Sequence, residues 1–224
     1  MSARDLVFGE SPSEPTSARP YRGTEGQIDR LSIIFFQLRA DGSPDLDKPR
    51  LIAAQTQYHA SLGTLISRAS EPAADQEIWQ ACEAARQRYA TLVVRYPTDP
   101  QGRARQDPTG ISILVWDYGE STQRKLHELS AQQIALGRNL GAVDLQIRCT
   151  NTRKQYLDIA VVGAAAWRTN PTAQQRLLDR AVALYDTVRV GKDLADAEIR
   201  RALGLSPLAD AVDDFPAADL INLV

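Results

Sequence analysis

One stretch of this sequence constrains the fold more than any other. Val143, Leu145, Ile147 and Cys149 alternate with Asp144, Gln146, Arg148 and Thr150, a polar Asn151–Lys154 run follows, and Leu157, Ile159 and Val161 resume the alternation up to Gly163. A period of two sends successive side chains to opposite faces, so these residues predict an antiparallel hairpin with one apolar face. A sheet is therefore part of the fold, and the rest of the chain has to supply its other strands and its cover.

Several segments do so. Leu31–Leu38 is β-branched and aromatic and stops at the Asp41-Gly-Ser-Pro44 turn signal, which predicts a buried strand. Tyr89–Tyr96 alternates Leu92, Val94 and Tyr96 against Thr91, Val93 and Arg95, and Ile111–Tyr118 is a strand ended by Gly119. Two short strands are expected within 50–67. Helices are expected over 72–88, from Ser121 to about Asn139, over 172–189 and over 193–203; in the third, Leu177, Ala181, Leu184, Tyr185 and Val188 recur at helical steps. Pro97–Gly110 reads as an exposed loop carrying Arg103 and Arg105. The expected class is α+β, with five or six strands in the middle and helices at the end.

Charge divides the chain more sharply than composition does. The net charge of the whole is −2, with 26 basic and 28 acidic residues. Residues 86–154 carry +5, however, and residues 193–224 carry −5. No Lys or Arg follows Leu205, while Asp210, Asp213, Asp214 and Asp219 are interleaved with Phe215, Leu220, Ile221 and Leu223. Residues 1–25 are rich in Ser, Pro, Glu, Gly and Arg without periodicity and read as a flexible arm. The expected division is an arm at 1–25, a domain at 26–204 and an acidic tail at 205–224.

Chemistry-bearing motifs are scarce. The two cysteines, Cys82 and Cys149, have no Cys or His at ligand spacing, so neither a disulfide framework nor a zinc site is expected. His59 and His127 are the only histidines, and no HExxH, Gly-rich phosphate loop or GxSxG elbow occurs. A non-enzymatic protein without cofactor or metal is the expectation. No apolar run is long enough to span a bilayer, and the start of the chain lacks the apolar core of a signal peptide, which points to the cytoplasm.

The segments Tyr21-Arg-Gly-Thr-Glu-Gly-Gln-Ile-Asp-Arg30, Tyr58-His59 with Leu62-Gly63, Val93-Val94-Arg95-Tyr96-Pro97-Thr98-Asp99, Val115-Trp116-Asp117-Tyr118-Gly119-Glu120 and Asp144-Leu145-Gln146-Ile147-Arg148-Cys149-Thr150 succeed one another in an order of their own. In this order the chain resembles the single-stranded DNA-binding proteins of tailed phages, the family of the helix-destabilising proteins of T4-like phages. The resemblance covers about residues 21–203. It implies an OB-fold-like antiparallel sheet or barrel with inserted helices, C-terminal helices and an acidic tail that recruits replication or recombination proteins. The T4-type members carry a Cys/His zinc site that Cys82 and His59 do not reproduce, and the arm begins Met1-Ser-Ala-Arg-Asp rather than with a basic motif.

Binding a single strand takes cations for phosphates and flat rings for bases. Candidates for that work are Arg95, Tyr96, Arg103, Arg105, Trp116, Tyr118, Arg124, Lys125, Arg148, Arg153, Lys154 and Tyr156. Each also has a plainer reading, since strand aromatics usually fill cores and scattered arginines usually face water. Trp116 and Tyr118 share a strand face and suit a core, whereas Tyr156 follows Arg153-Lys154 at a hairpin tip and suits stacking. Asp210, Asp213, Asp214, Phe215 and Asp219 are the candidate partner-binding residues, with a merely solubilising tail as the alternative. The leading expectation is a protein that coats single-stranded DNA in replication or recombination in the host cytoplasm. The second is an assembly subunit that docks through its C-terminal helices and tail without touching nucleic acid.

Overall fold

A computed structural model describes residues 18–99, 101–103 and 110–206. Its strands and helices run β1 (Arg19–Pro20), β2 (Ile28–Ile33), β3 (Phe36–Leu38), β4 (Pro44–Pro49), β5 (Ile52–His59), β6 (Gly63–Ile66), α1 (Gln76–Gln80), β7 (Arg86–Tyr96), β8 (Ser112–Gly119), α2 (Glu120–Ala135), β9 (Val143–Asn151), β10 (Tyr156–Ala164), α3 (Pro171–Ala183) and α4 (Asp196–Ala202). The class is α+β.

The long strand β7 organises the sheet. One of its edges pairs with β8 from Arg88 to Arg95, and its other edge is shared, with β2 against Val93–Tyr96 and β5 against Arg86–Ala90. The path is β1-β8-β7-β2-β9-β10, with β6 joined through β5. The sheet is mixed, because β1 runs parallel to β8. Its ends, β1 and β10, do not pair with each other, so it is open.

Each face has its own cover. Leu92, Val94, Ile113 and Val115 pack under Leu177, Leu178, Ala181 and Leu184 of α3 and its extension. On the opposite face Leu31, Val93, Trp116, Leu145 and Ile147 pack with Leu126 of α2. Central β7 is therefore buried on both faces, and the alternation Thr91/Val93 against Leu92/Val94 separates two cores rather than core from water. Pro171 opens α3, and the Asn170 side chain accepts from the Thr172 and Ala173 amides. A third, small core joins Leu65, Ile78, Trp79 and Ile199.

Several boundaries differ from expectation, each for a tertiary reason. The helix expected over 72–88 shrinks to α1, because Arg86–Arg88 pair with β5 and Arg88 also with β8, and this ladder pairing outweighs local helix propensity. The strand expected at 31–38 starts earlier, at Ile28, and breaks after Ile33. The break lets Ile34, Phe35 and Phe36 all bury in succession, which a regular strand on a two-sided sheet does not require. The helix expected to reach 139 ends at Ala135, the one expected to reach 189 ends at Ala183, and the last is confined to Asp196–Ala202. Residues 18–25, assigned to the arm by composition, belong to the fold: β1 joins the sheet, and Tyr21 is buried beside Trp116 with ring centroids 6.0 Å apart. The two short strands of 50–67 and the 143–162 hairpin form where the sequence puts them. The rest of the arm, Arg105 and the acidic tail lie outside the described residues. No helix among the described residues is long and apolar enough to cross a membrane.

Candidate nucleic-acid interface

Helix α3 covers only part of its face. Across β2, β9 and β10 the register puts Ile28 with Arg148 and Asp158, and Arg30 with Gln146 and Ala160. Directly opposed residues share a face, so these six side chains form the half of the sheet that α3 leaves open. A shallow depression of about 180 Å³ lies there, bordered by Gln146, Arg148, Asp158 and Ala160. The loop after β7 folds against one end of it. The Thr98 hydroxyl donates to the Ile28 carbonyl at 3.0 Å, and Gly102, at φ +78°, approaches so closely that a Cβ would fall 2.2 Å from Ile28 Cγ2. Only glycine fits that contact.

The hairpin between β9 and β10 extends this surface. Asn151 Oδ1 accepts from the Lys154 amide at 2.8 Å, and Gln155 takes the left-handed conformation that closes the turn. Tyr156 emerges half exposed at 52% with Lys154 Nζ 5.7 Å from its ring centroid. Arg148, Arg153 and Lys154 are all exposed, and among the described residues none of them has a carboxylate partner. Lys125 reaches the edge from α2, donating to the Leu157 carbonyl at 2.6 Å and lying 3.7 Å from Asp158. Asp158 is thus a carboxylate within the patch with a cation beside it.

The other candidates are placed elsewhere. Trp116 (2% exposed) and Tyr118 (6%) are core residues beneath α2, and Tyr96 (6%) is core under α3, so none offers a ring to a base. The alternation that put them on strands is correct, but both faces of β7 and β8 are covered. Burial, then the nearby Asp144, pushes the Tyr96 phenol up, and burial, then Tyr89, does the same to Tyr118. Arg95 does not face the patch either. Its Nε and Nη2 donate to buried Asp29 at 3.0 and 2.7 Å on the α2 face, and Asp29 also accepts from the Tyr21 hydroxyl at 2.9 Å. Arg103 is exposed in the loop beside the patch, but its Nε donates to Asp99 at 2.7 Å. Arg124 is exposed on α2, on the other side of the sheet.

Of the six side chains on the open half only Arg148 was a candidate in the sequence. Arg30 borders the patch while its Nε donates to buried Asp144 at 2.7 Å, a carboxylate that also accepts from Ser32. Ser32 in turn bonds the Tyr96 hydroxyl, which accepts from the Trp167 amide at 3.1 Å. The signal for Arg30 was the alternation Ile28/Arg30 against Asp29/Leu31, which shows only when the strand is started at Ile28, whereas Gln146 already stood on the polar side of the Val143–Thr150 alternation. Among the described residues no group of three His, Cys, Asp or Glu side chains could hold a metal ion. A scan against protein-family models finds no match to this chain, and a search of curated proteins finds none.

Proposed function

We propose that the protein binds single-stranded nucleic acid, with single-stranded DNA exposed in replication or recombination as its substrate, and that it acts by coating rather than by catalysis. The observation that carries this reading is the hairpin: a half-exposed Tyr156 ring with Lys154 against it, Arg153 in the same turn and Arg148 further back along β9, three cations without carboxylate partners among the described residues. Phosphates would be held by these cations and a base would stack on Tyr156. What remains of the OB-like expectation is an open sheet used as a platform rather than a closed barrel. The acidic segment with Asp210, Asp213, Asp214, Phe215 and Asp219 has the charge and apolar spacing to recruit a replication or recombination protein.

The test is fluorescence anisotropy with labelled poly-dT. Tyr156→Ala is expected to weaken binding about tenfold, the lower half of the range for one base–aromatic stack, while Tyr58→Ala, an equally exposed ring on β5, leaves it unchanged. Equal affinity of the Tyr156→Ala variant and the parent would remove the hairpin tip from the interface. An assembly subunit that does not touch nucleic acid is the second reading. It is favoured by the exposed Leu51, Ile134 and Leu136, and predicts no binding to any probe.

A further inference from the structure

Arg148 of β9 and Asp158 of β10 are directly opposed in the ladder and share the open face. Opposite charges so placed ordinarily close on one another. Here they do not: Arg148 has no carboxylate partner among the described residues, and the cation beside Asp158 is Lys125, 3.7 Å away. Both instead border the depression of about 180 Å³, and Gln146 and Ala160, the next opposed pair on this face, complete it. Ala160 accounts for the hollow, because a side chain of one methyl leaves the space next to Asp158 unfilled.

The hollow is smaller than the ~300 Å³ at which sites for drug-sized ligands begin, so its occupant is one small group. That group has to answer two forks of opposite kind. A carboxylate only accepts, at two oxygens, and a guanidinium only donates. The bases meet this demand unequally. Along one continuous edge guanine carries N7 and O6, which accept, and then N1–H and N2–H, which donate; the first pair suits the Arg148 fork and the second the Asp158 carboxylate. Thymine, cytosine and adenine each present a single donor group, N3–H, N4–H or N6–H, and leave one carboxylate oxygen unmet.

We propose that the depression between Arg148 and Asp158 is a subsite for one guanine of a bound single strand, with Arg148 donating to O6 and N7 and Asp158 accepting from N1–H and N2–H. The proposal rests on the single-strand reading and adds a base preference to it. Tyr156 precedes Asp158 by two residues, about 7 Å along β10, which places its ring to stack the neighbouring base. Coating is then not indifferent to sequence, because the strand settles in the register that puts a guanine in the hollow.

The test is competition against a labelled oligo-dT of about twelve nucleotides, within the usual site sizes, read by fluorescence anisotropy of the full chain. The competitors are unlabelled oligo-dT of the same length and the same oligomer with one central dG, dC, dA or deoxyinosine; a lone dG avoids the self-association of guanine runs. The dG oligomer is expected to compete about tenfold better than oligo-dT, the scale of one bidentate pair, and deoxyinosine, which lacks the N2 donor, to lose most of that advantage. Within each of two variants the ratio of dG-oligomer to oligo-dT affinity is expected to fall to about one: in Asp158→Asn, which exchanges an acceptor oxygen for a donor, and in Ala160→Leu, which fills the depression and keeps both charges. Both positions are exposed, so neither substitution enters the core. Free dGMP at the oligomer's concentration is expected not to displace the probe, and displacement matching that by the dG oligomer would assign the hollow to a free nucleotide and overturn the strand subsite. Binding of oligo-dT without preference for dG, a preference for dC or dA, or a ratio unchanged in either variant would overturn the guanine proposal alone. No binding of any oligomer would overturn it together with the single-strand reading.

Discussion

Strand β2 contributes to a charge pair on each face, with the carboxylate buried and the guanidinium part-exposed in both: Asp29 with Arg95 beside α2, and Asp144 with Arg30 beside α3. The two pairs hold the junction between the covered and open halves of the sheet. Removing Arg30 strands the fully buried Asp144 carboxylate in a low-dielectric site, so Arg30→Ala is expected to cost about 3–5 kcal/mol in urea unfolding, well above the ~1 kcal/mol of a typical substitution. A loss no larger than that of an exposed control such as Asp158→Ala would contradict this role. These pairs were not legible in the sequence, since Asp144 and Arg30 are 114 residues apart and charge alternation does not name a partner. The exposure of Tyr156 was legible, because a ring two residues after Arg153-Lys154 at a hairpin turn has no core to enter. Trp116, Tyr118 and Tyr96 were misassigned for the complementary reason: alternation identifies two faces without telling which of them are covered.

At the scale of elements, the loop after β7 depends on one contact. Gly102→Ala would both strain a left-handed residue and drive a Cβ into Ile28, so it is expected to lift Pro97–Arg103 from the open face and to destabilise the fold by about 1 kcal/mol or more. Limited proteolysis at Arg103 measures the first effect, and unchanged cleavage relative to the parent would contradict it. The β9–β10 hairpin was readable because its period, its turn residues and its terminating glycine agree. The helix expected at 72–88 was overestimated because Arg86–Arg88 pair with β5 and Arg88 also with β8, which the local sequence does not reveal. The β5–β6 pair formed as expected, with Gly63 at φ +79° in its turn.

For the whole molecule, burial of tyrosines links stability to alkaline pH. The phenols of Tyr21, Tyr96, Tyr118 and Tyr185 are all pushed up, burial being the first cause in each. The folded state therefore keeps protons that the unfolded chain loses near its ordinary tyrosine pKa of about 10, so stability is full below about pH 10 and is lost as pH rises above it. Unfolding free energies that stay level from about pH 9 to about pH 12 would contradict that account.

Charge distribution is what favours the role proposed for the open face. The middle of the chain is basic although the whole is slightly acidic, and the exposed cations of β9 and its hairpin lie on a part of the sheet that no described helix covers. The central claim is that this surface binds a single strand through phosphates and a base. Its most direct test is the anisotropy of labelled poly-dT and of duplex DNA titrated with the protein at several salt concentrations. The account predicts preference for the single strand and an affinity that falls with salt, with a log–log slope of about −2 for the three cations Arg148, Arg153 and Lys154. Binding that is absent at low salt, equal for the duplex, or insensitive to salt would contradict it.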